Sequence, residues 1–189
     1  MKKKTRIPLI ILILFICFLL FAPRGNYLKT DVVNTFSGPS AEHWMGTDNL
    51  GRDVYALLLA GGVRTLEVVF LATAISFLTG TVLGMIAGYY GGIFGSIIQF
   101  LSDFSLVIPS FIVALTMSAL FGFNIMMAGI VFGIGQMGEY VNQAFVLTRS
   151  LKSQEFIDAE LVLGLSRPRI IFFHVLPNIS GPILVTAVL

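Results

Sequence analysis

The sequence predicts an all-α, polytopic membrane protein folded as a transmembrane helical bundle. Of its 189 residues, 56% are hydrophobic and only 12% are charged, and the mean hydropathy is +0.91. A soluble domain of this length could not bury so much apolar surface, so membrane lipid must surround part of the chain. The apolar residues also form uncharged runs of helix length between polar blocks. The formal net charge of +2 gives no indication of nucleic-acid binding.

The first element is the uncharged run over residues 7–22, which follows the basic stretch MKKKTR. A cleaved signal peptide is the alternative. Cleavage after Ala22 would place Leu20 at position −3 and Pro23 directly after the bond, and both are unfavourable. Lysine side chains that reach the interface extend such a short span. We therefore expect residues 1–22 to be a retained transmembrane helix, with the N-terminus in the cytoplasm because basic residues precede it.

The second element is the apolar run over residues 66–90, which a polar segment, residues 23–62, separates from the first. Gly80, Gly84 and Gly88 recur here every four residues, so they lie on one face of a helix. Such spacing lets the backbone of another helix approach closely. Glycine is common in membrane helices generally, but three in register predict a packing face.

Two further spans are predicted after this one. Residues 104–122 are long enough to cross a membrane, which places Asp103 at the interface and residues 93–101 along the surface. A functional role inside the membrane is the alternative for this acid. Pro109 should kink the helix or relax its start. The fourth span covers residues 125–148 and contains several amides and an acid.

One face of the fourth span is polar. Gln136, Glu139 and Gln143 are spaced by three and four residues, so they share this face. Glu139 lies about nine residues from the end of the span, roughly 13 Å, which is close to the midplane of a core ~30 Å thick. Because an acid facing lipid there is costly, the face should point into the bundle. Two roles remain open: a structural hydrogen-bond cluster, or a pathway wall that meets a cationic ligand.

The segment over residues 153–178 is predicted to be a loop. Five charged side chains between Glu155 and Arg169 would each cost roughly 2.5–3.5 kcal/mol at the membrane centre. Each of the six Leu, Ile, Phe and Val residues among them returns only about 0.3–0.6 kcal/mol. Four crossings return the chain to the cytoplasm, so this loop is cytoplasmic and the 23–62 segment is outside. Lys152 and other basic residues nearby agree with this side.

The pattern within the loop predicts two short helices. In the first, Phe156, Ile157 and Leu161 form a narrow apolar stripe, and Gly164 marks the end of the helix.

The second short helix follows Ser166, which can cap it, with Pro168 in its first turn. Pro177 then marks a turn into a fifth apolar run, ISGPILVTAVL. Such a cytoplasmic pair suits a connector, a helix lying on the membrane surface, or a docking site for a partner. The residue pattern alone leaves these three open.

Two motifs carry a resemblance to a known family. EFIDAELVLGLSRPRIIFFHVLPN resembles the cytoplasmic coupling loop of permease subunits in bacterial binding-protein-dependent ABC importers, whose core is Glu-Ala-Ala, three residues and Gly. HWMGTDNLGRDV resembles the Gly-Thr-Asp and Gly-Arg-Asp signature of the second permeases of dipeptide, oligopeptide and nickel importers. AGYYGG and IPSF also match stretches of that branch. The resemblance extends from about residue 43 to residue 189, with both motifs in order.

The resemblance implies the fold of a type I ABC importer permease and a set of partners. Its loop, residues 150–178 here, would dock on a cytoplasmic ATPase that binds the ATP, since this chain has no G-x-x-x-x-G-K-[ST] phosphate loop. A second permease subunit and an extracytoplasmic substrate-binding protein complete the assembly. The chain itself would be no enzyme, and it would hold no cofactor. No metal site is expected either, since His43 and His174 are isolated. The expected ATPase-coupling residues are Glu155, Phe156, Asp158, Ala159, Glu160, Leu161, Gly164 and Pro177.

The HWMGTDNLGRDV motif lies outside the membrane in the predicted topology. Asp48, Asn49 and Gly51 suit a turn, with Asp48 or Asn49 capping a helix that begins near Arg52. The motif either builds this turn or contacts the substrate-binding protein or a gate. Its acids lack the spacing of a calcium loop. The candidate residues are Gly46, Thr47, Asp48, Gly51, Arg52 and Asp53.

The chain departs from the family pattern at several positions. The Glu-Ala-Ala core stands as Asp158-Ala159-Glu160, so a charge replaces a small residue that is expected to pack closely. Phe100 and Asn142 stand where relatives often have arginines. The chain also stops at Leu189 inside an apolar run, where relatives continue through that helix and a sixth. Residues 63–189 are therefore expected to form an incomplete, C-terminally truncated permease domain.

The sequence as a whole predicts a multi-pass permease of the bacterial inner membrane that imports dipeptides or oligopeptides. An importer of nickel or of a metal–chelator complex is the alternative within the same branch. A non-transporting membrane remnant or adaptor is the alternative from another class.

Overall fold

The computed structural model describes residues 6–23 and 25–188. Apart from one isolated β-bridge, the regular structure of these residues is helical, which confirms the all-α prediction. The chain divides into two compact units, Met1–Glu67 and Val68–Leu189, each described by itself. In chain order the elements are α1 Arg6–Phe21, a 3₁₀ helix Val32–Asn34, α2 Val54–Tyr90, α3 Gly92–Val107, α4 Ser110–Phe121, α5 Ile125–Lys152, α6 Glu155–Val162, α7 Arg167–Ile170, a π-helical segment Ile171–Val175 and α8 Leu176–Val188.

The first unit contains α1 and the beginning of α2. The apolar helix α1 is 16 residues long and covers nearly all of the predicted first span. Leu19 is buried, and one of its methyl groups would lie 3.0 Å from a Cβ placed on Gly62. The missing side chain of Gly62 therefore lets α1 approach the first turns of α2.

Helix α2 is longer than the predicted second span. It covers Val54–Tyr90, so the end agrees with the prediction and the beginning does not. Asp53 caps its N-terminus, because the Oδ1 atom accepts a hydrogen bond from the amide of Ala56 at 3.0 Å. The prediction that Asp48 or Asn49 caps this helix is therefore wrong.

Helices α2 and α5 approach each other closely in the second unit, and glycines of both helices make this possible. A Cβ on Gly80 would lie 2.7 Å from the Cβ of Tyr140. A Cβ on Gly88 would lie 2.6 Å from the carbonyl oxygen of Phe145. Gly84, between them, has even less room. The three glycines thus form one face of α2 against the backbone of α5.

Helix α5 has glycines of its own at this contact, which the sequence analysis did not single out. Cβ atoms on Gly129 and Gly133 would collide with the side chains of Leu71 and Ile75, respectively. The residue numbers of the contacting positions therefore increase together along the two helices, from Leu71 to Gly88 on α2 and from Gly129 onward on α5. The two helices consequently run parallel, and the chain between them must return to the side where α2 began.

Helix α3 makes this return beside α5. The Ser102 hydroxyl donates to the carbonyl of Gly138 at 2.8 Å, while Gly95, near the start of α3, lies against Phe145. The order of contacts is reversed here, so α3 is antiparallel to α5. Asp103 accepts a hydrogen bond from Asn142 at 2.9 Å within the same contact.

The predicted third span is wrong in its boundaries. Residues 93–101 do not form a separate surface segment, because α3 is one helix over Gly92–Val107. The break comes at Ile108, which has an extended backbone, and Pro109, after which α4 begins with a bend of 75°. A proline disfavours the helical conformation of the residue before it and lacks the amide that would continue the helical hydrogen bonds. The expected effect of Pro109 is thus present, as a break.

The predicted turn at Pro177 is also wrong. Helix continues without interruption from Arg167 through the π-helical segment to Val188. The amide of Leu176 bonds five residues back to Ile171, and the side chain of Asn178 donates to the carbonyl of His174 at 2.7 Å. The wider π turn gives the proline ring room against the preceding turn, so the helix tolerates it.

Within the described part of the chain, two helices are long and apolar enough to cross a membrane by themselves: α2 and the continuous helix over Arg167–Ala187. The bent pair α3–α4 is a third candidate if it counts as one span. The second of these helices begins inside the predicted 153–178 loop, so only the part before Arg167 remains a connection. Helix α5 carries more polar residues and lies packed against α2, α3 and α8.

Candidate functional site

Helix α6 carries the predicted docking residues and lies against the base of the α7–α8 helix. Ile157 is fully buried in a cluster with Ile170, Ile171 and Val175. Glu160 follows one turn later on the same face of α6, and only 16% of its side chain is exposed. These two side chains form the inner face of α6.

The outer surface of α6 is apolar at its C-terminal end and consists of Phe156, Leu161, Val162 and Leu163. Val162 and Leu163 are 89% and 77% exposed, whereas Phe156 and Leu161 are about half as exposed. The predicted stripe is wrong at Ile157, which belongs to the core. Val162 and Leu163 lie outside the predicted stripe, because a single turn of amphipathic pattern does not fix which residues face the neighbouring helix. Glu155, Asp158, Ala159 and Pro177 are exposed as well.

Gly164 ends α6 as predicted. Its φ of +83° lies in the left-handed region that glycine adopts without strain. The amide of Leu165 bonds to the carbonyl of Glu160 at 3.1 Å, and that of Gly164 bonds to Leu161 at 3.0 Å. This is a Schellman motif, which satisfies the last carbonyls of the helix. Ser166 occupies the N-cap position of α7, but its side chain makes no capping bond.

The side chains of Glu160 and His174 are within hydrogen-bond distance of each other in the structure. The Oε1 atom of Glu160 lies 2.6 Å from the Nδ1 atom of His174. The other carboxylate oxygen, Oε2, is enclosed and has no hydrogen-bond partner in the described part of the chain. The Glu160 carboxylate therefore faces inward, and His174 is its hydrogen-bond partner. The expectation that His174 is isolated is wrong, since the π-helical segment places it beside a helix distant in sequence.

The HWMGTDNLGRDV motif, called the outer motif after its predicted location, is a compact turn built around two glycines. Gly46 and Gly51 have φ values of +74° and +70°. A Cβ on Gly51 would overlap the carbonyl oxygen of Asp31, and one on Gly46 would overlap that of Ser37. Thr47 is buried between them, and its hydroxyl oxygen accepts a bond from the amide of Ser37 at 2.9 Å. The spacing of the motif thus lets the backbone close on itself.

Asp48 is the main acceptor of this turn. Its Oδ1 accepts hydrogen bonds from the amides of Leu50 and Arg52, at 2.8 and 2.9 Å. Its Oδ2 accepts from the Nε atom of Arg52 at 2.7 Å. The side-chain bond from Arg52 is the largest cause that lowers the pKa of Asp48 below its ordinary value. Both Asp48 and Arg52 therefore have partners within the turn.

Asp53 joins the turn to α2 and pairs with His43, which the sequence analysis called isolated. The His43 Nδ1 and Asp53 Oδ2 atoms are 2.9 Å apart. Burial by itself raises the pKa of Asp53, but the bonds from His43 and from the amide of Ala56 lower it below its ordinary value. Among residues 6–23 and 25–188, no group of three His, Cys, Asp or Glu side chains could hold a metal ion.

A cavity of about 520 Å³ in the second unit contains two of the three predicted pathway residues. Gln136 and Glu139 line it from α5, and Thr73 and Ser76 line it from α2. Gln143 is not part of it, because its amide donates to the carbonyl of Pro182 in α8 at 3.3 Å. The structure therefore brings Glu139 together with hydroxyl groups and with Gln136, while Gln143 attaches α8 to α5.

Comparison with known proteins agrees with these motifs. The family model described as "binding-protein-dependent transport system inner membrane component" matches residues 80–189. The dipeptide transport system permease protein DppC of Alkalihalophilus pseudofirmus is 38% identical over 194 aligned residues, which cover 100% of this chain and 63% of that protein. The oligopeptide transport system permease protein OppC of Bacillus subtilis is 32% identical with the same coverage. OppC of Lactococcus lactis is 26% identical over 95% of this chain and 62% of its own length. The chain thus spans less than two thirds of the length of these relatives.

Proposed function

Because the chain belongs to the family of binding-protein-dependent transport system inner membrane components, we propose that it is a permease subunit of an ATP-driven peptide importer. The main support for the substrate class is that relatives matching the whole chain are named dipeptide and oligopeptide permeases. These names favour peptides over nickel and transport over a role as an adaptor. The relatives are named transport permeases, and in this proposal ATP hydrolysis belongs to a partner subunit.

The proposal includes a cytoplasmic ATPase that docks on the outer surface of α6. This surface has large exposed apolar side chains next to the acids Glu155 and Asp158. A soluble loop that exposes Val162 and Leu163 so fully is typical of an interaction site. In the same proposal a second permease completes the channel, and a substrate-binding protein delivers the peptide from outside.

The positions of basic residues and the packing of the helices support the proposed orientation in the membrane. Arg149 and Lys152 end α5, and the Nζ atom of Lys152 lies 5.3 Å from the ring centroid of Tyr89 at the end of α2. The ends of these two parallel helices thus share one side with α6. Lys and Arg residues are most frequent on the cytoplasmic side of membrane helices. We therefore place α6 and the N-terminus in the cytoplasm and the outer motif on the opposite side.

Glu139 has a proposed role in the pathway. It is exposed in the middle of α5, and its cavity also has hydroxyl groups that can accept hydrogen bonds. An acid at this depth is retained when it faces a polar cavity or a partner subunit, not lipid. It would attract the cationic group of a peptide, such as its amino terminus.

The docking proposal is tested by copurification of the ATPase with detergent-extracted permease. Leu163→Asp or Val162→Asp should abolish copurification, because a charge replaces an apolar contact that is buried on docking. Membrane insertion should persist, since both side chains are exposed in the permease itself. The matched control is Arg169→Gln, an exposed position in α7, which should retain the ATPase. Retention by both aspartate variants would contradict docking at this surface.

A further inference from the structure

We propose that Glu160 and His174 form a positioning pair that fixes α6 to the base of the α7–α8 helix, so that the two move together. The inference rests on the proposed docking role of α6, although the contact itself involves only this chain. The 2.6 Å separation of Glu160 Oε1 and His174 Nδ1 is that of a charge-assisted hydrogen bond. Such a bond is directional, unlike an apolar contact.

Ile157 and Glu160 attach α6 in different ways. Ile157 enters the apolar cluster at the base of α8, and apolar burial is non-directional. A helix of eight residues held by this side chain alone could rotate about it. A second attachment one turn away, through Glu160, removes that freedom. A force applied by a partner to the outer surface of α6 is then transmitted to α8.

The π-helical segment determines where His174 points. Ile171–Val175 contains one additional residue per turn, which rotates the following residues by roughly 100° relative to an α-helix. Ile171 and Val175 both remain buried, while His174 between them reaches Glu160. π-Helical turns are rare and are frequently found at functional sites.

The second carboxylate oxygen of Glu160 makes the two positions dependent on each other. Oε2 is enclosed without a hydrogen-bond partner in the described residues, so the carboxylate has lost much of its hydration. If the His174 side chain is removed, the enclosed Glu160 carboxylate remains without a hydrogen-bond partner, which is costly. If both are removed, this cost disappears. The two substitutions should therefore be strongly non-additive.

The test measures the distance between α6 and α8 in the purified permease, without an ATPase. Spin labels are placed at Val162→Cys and Leu184→Cys, both exposed positions, in a Cys17→Ser background. Pulsed electron paramagnetic resonance should give a narrow distance distribution for the parent chain. Glu160→Ala and His174→Leu should each broaden it, and the double variant should be no broader than either. Glu160→Gln keeps an acceptor for the His174 N–H and should restore the narrow distribution, whereas Arg169→Gln should leave it unchanged.

If the distance distribution stays narrow in Glu160→Ala, the proposed pair is wrong. It is also wrong if Glu160→Gln broadens the distribution as much as Glu160→Ala does. A second measurement, peptide uptake per ATP hydrolysed by the reconstituted importer, should fall several-fold in Glu160→Ala and recover in Glu160→Gln, with copurification retained. Unchanged uptake per ATP despite a broadened distribution would overturn the joint movement. If the parent chain itself retains no ATPase, the docking function fails, and the distance measurement still decides the pair.

Discussion

At the scale of single residues, Gly51 shows why the outer motif needs its glycines. The residue has a left-handed backbone, and any side chain would overlap the carbonyl oxygen of Asp31. We expect Gly51→Ala to destabilise the outer turn by at least about 1–2 kcal/mol, the cost of a left-handed conformation with a Cβ. Fluorescence of Trp44, the single tryptophan, reports this, since its ring lies 5.2 Å from that of Tyr55.

The matched control for this prediction is Gly38→Ala. A Cβ on Gly38 would have no heavy atom within 4 Å, and its φ is not among the positive values. Its thermal unfolding curve should match that of the parent chain. Equal effects of the two alanines would mean that the motif does not depend on a close approach of the backbone.

Glu139 is the residue whose charge has a proposed transport role. Glu139→Gln preserves the shape and most of the hydrogen bonding of the side chain while it removes the charge. We expect uptake of peptides with a net positive charge by the reconstituted importer to fall several-fold, and uptake of acidic peptides to fall less. ATPase copurification should persist. Glu42→Gln, the same change at an exposed position of the outer segment, is the control, and equal uptake of all peptides by the Glu139 variant would favour a structural role.

At the scale of elements, the contact between α2 and α5 depends on glycine backbone. A side chain at Gly84 would overlap the backbone of Val141 and the Cβ of Ala144. We expect Gly84→Leu to separate the helices and to lower the free energy of unfolding by about 1–3 kcal/mol or more, as overpacking does. Thermal unfolding in detergent measures this. Gly61→Leu, in the same helix but with no heavy atom within 4 Å of its Cβ, should change it much less.

At the scale of the whole molecule, the parallel course of α2 and α5 predicts that α3 and α4 together cross the membrane between them. Cysteines at Ser40, Phe123 and Ser153, in a Cys17→Ser background, test this with a membrane-impermeant reagent. Ser40→Cys and Phe123→Cys should be labelled from outside, and Ser153→Cys only after permeabilisation. If α3–α4 were a re-entrant loop, Phe123→Cys would instead be labelled together with Ser153→Cys.

The sequence by itself determined the features that depend on local rules. The lipid environment followed from composition, and the helical class from runs of apolar residues. The end of α2 at Tyr90, the stop at Gly164 and the break at Pro109 followed from what glycine and proline allow in a backbone. Two motifs in order were also enough to indicate the family.

Only the tertiary structure decided which side chains meet. It buried Ile157, exposed Val162 and Leu163, and paired Glu160 with His174 across two helices. It also kept a helix through Pro177, where local rules predicted a turn, because the preceding π turn is wide enough for the proline ring. Contacts of this kind depend on the rotation of each helix about its axis, and packing against distant residues sets that rotation. A short segment of sequence does not contain this information.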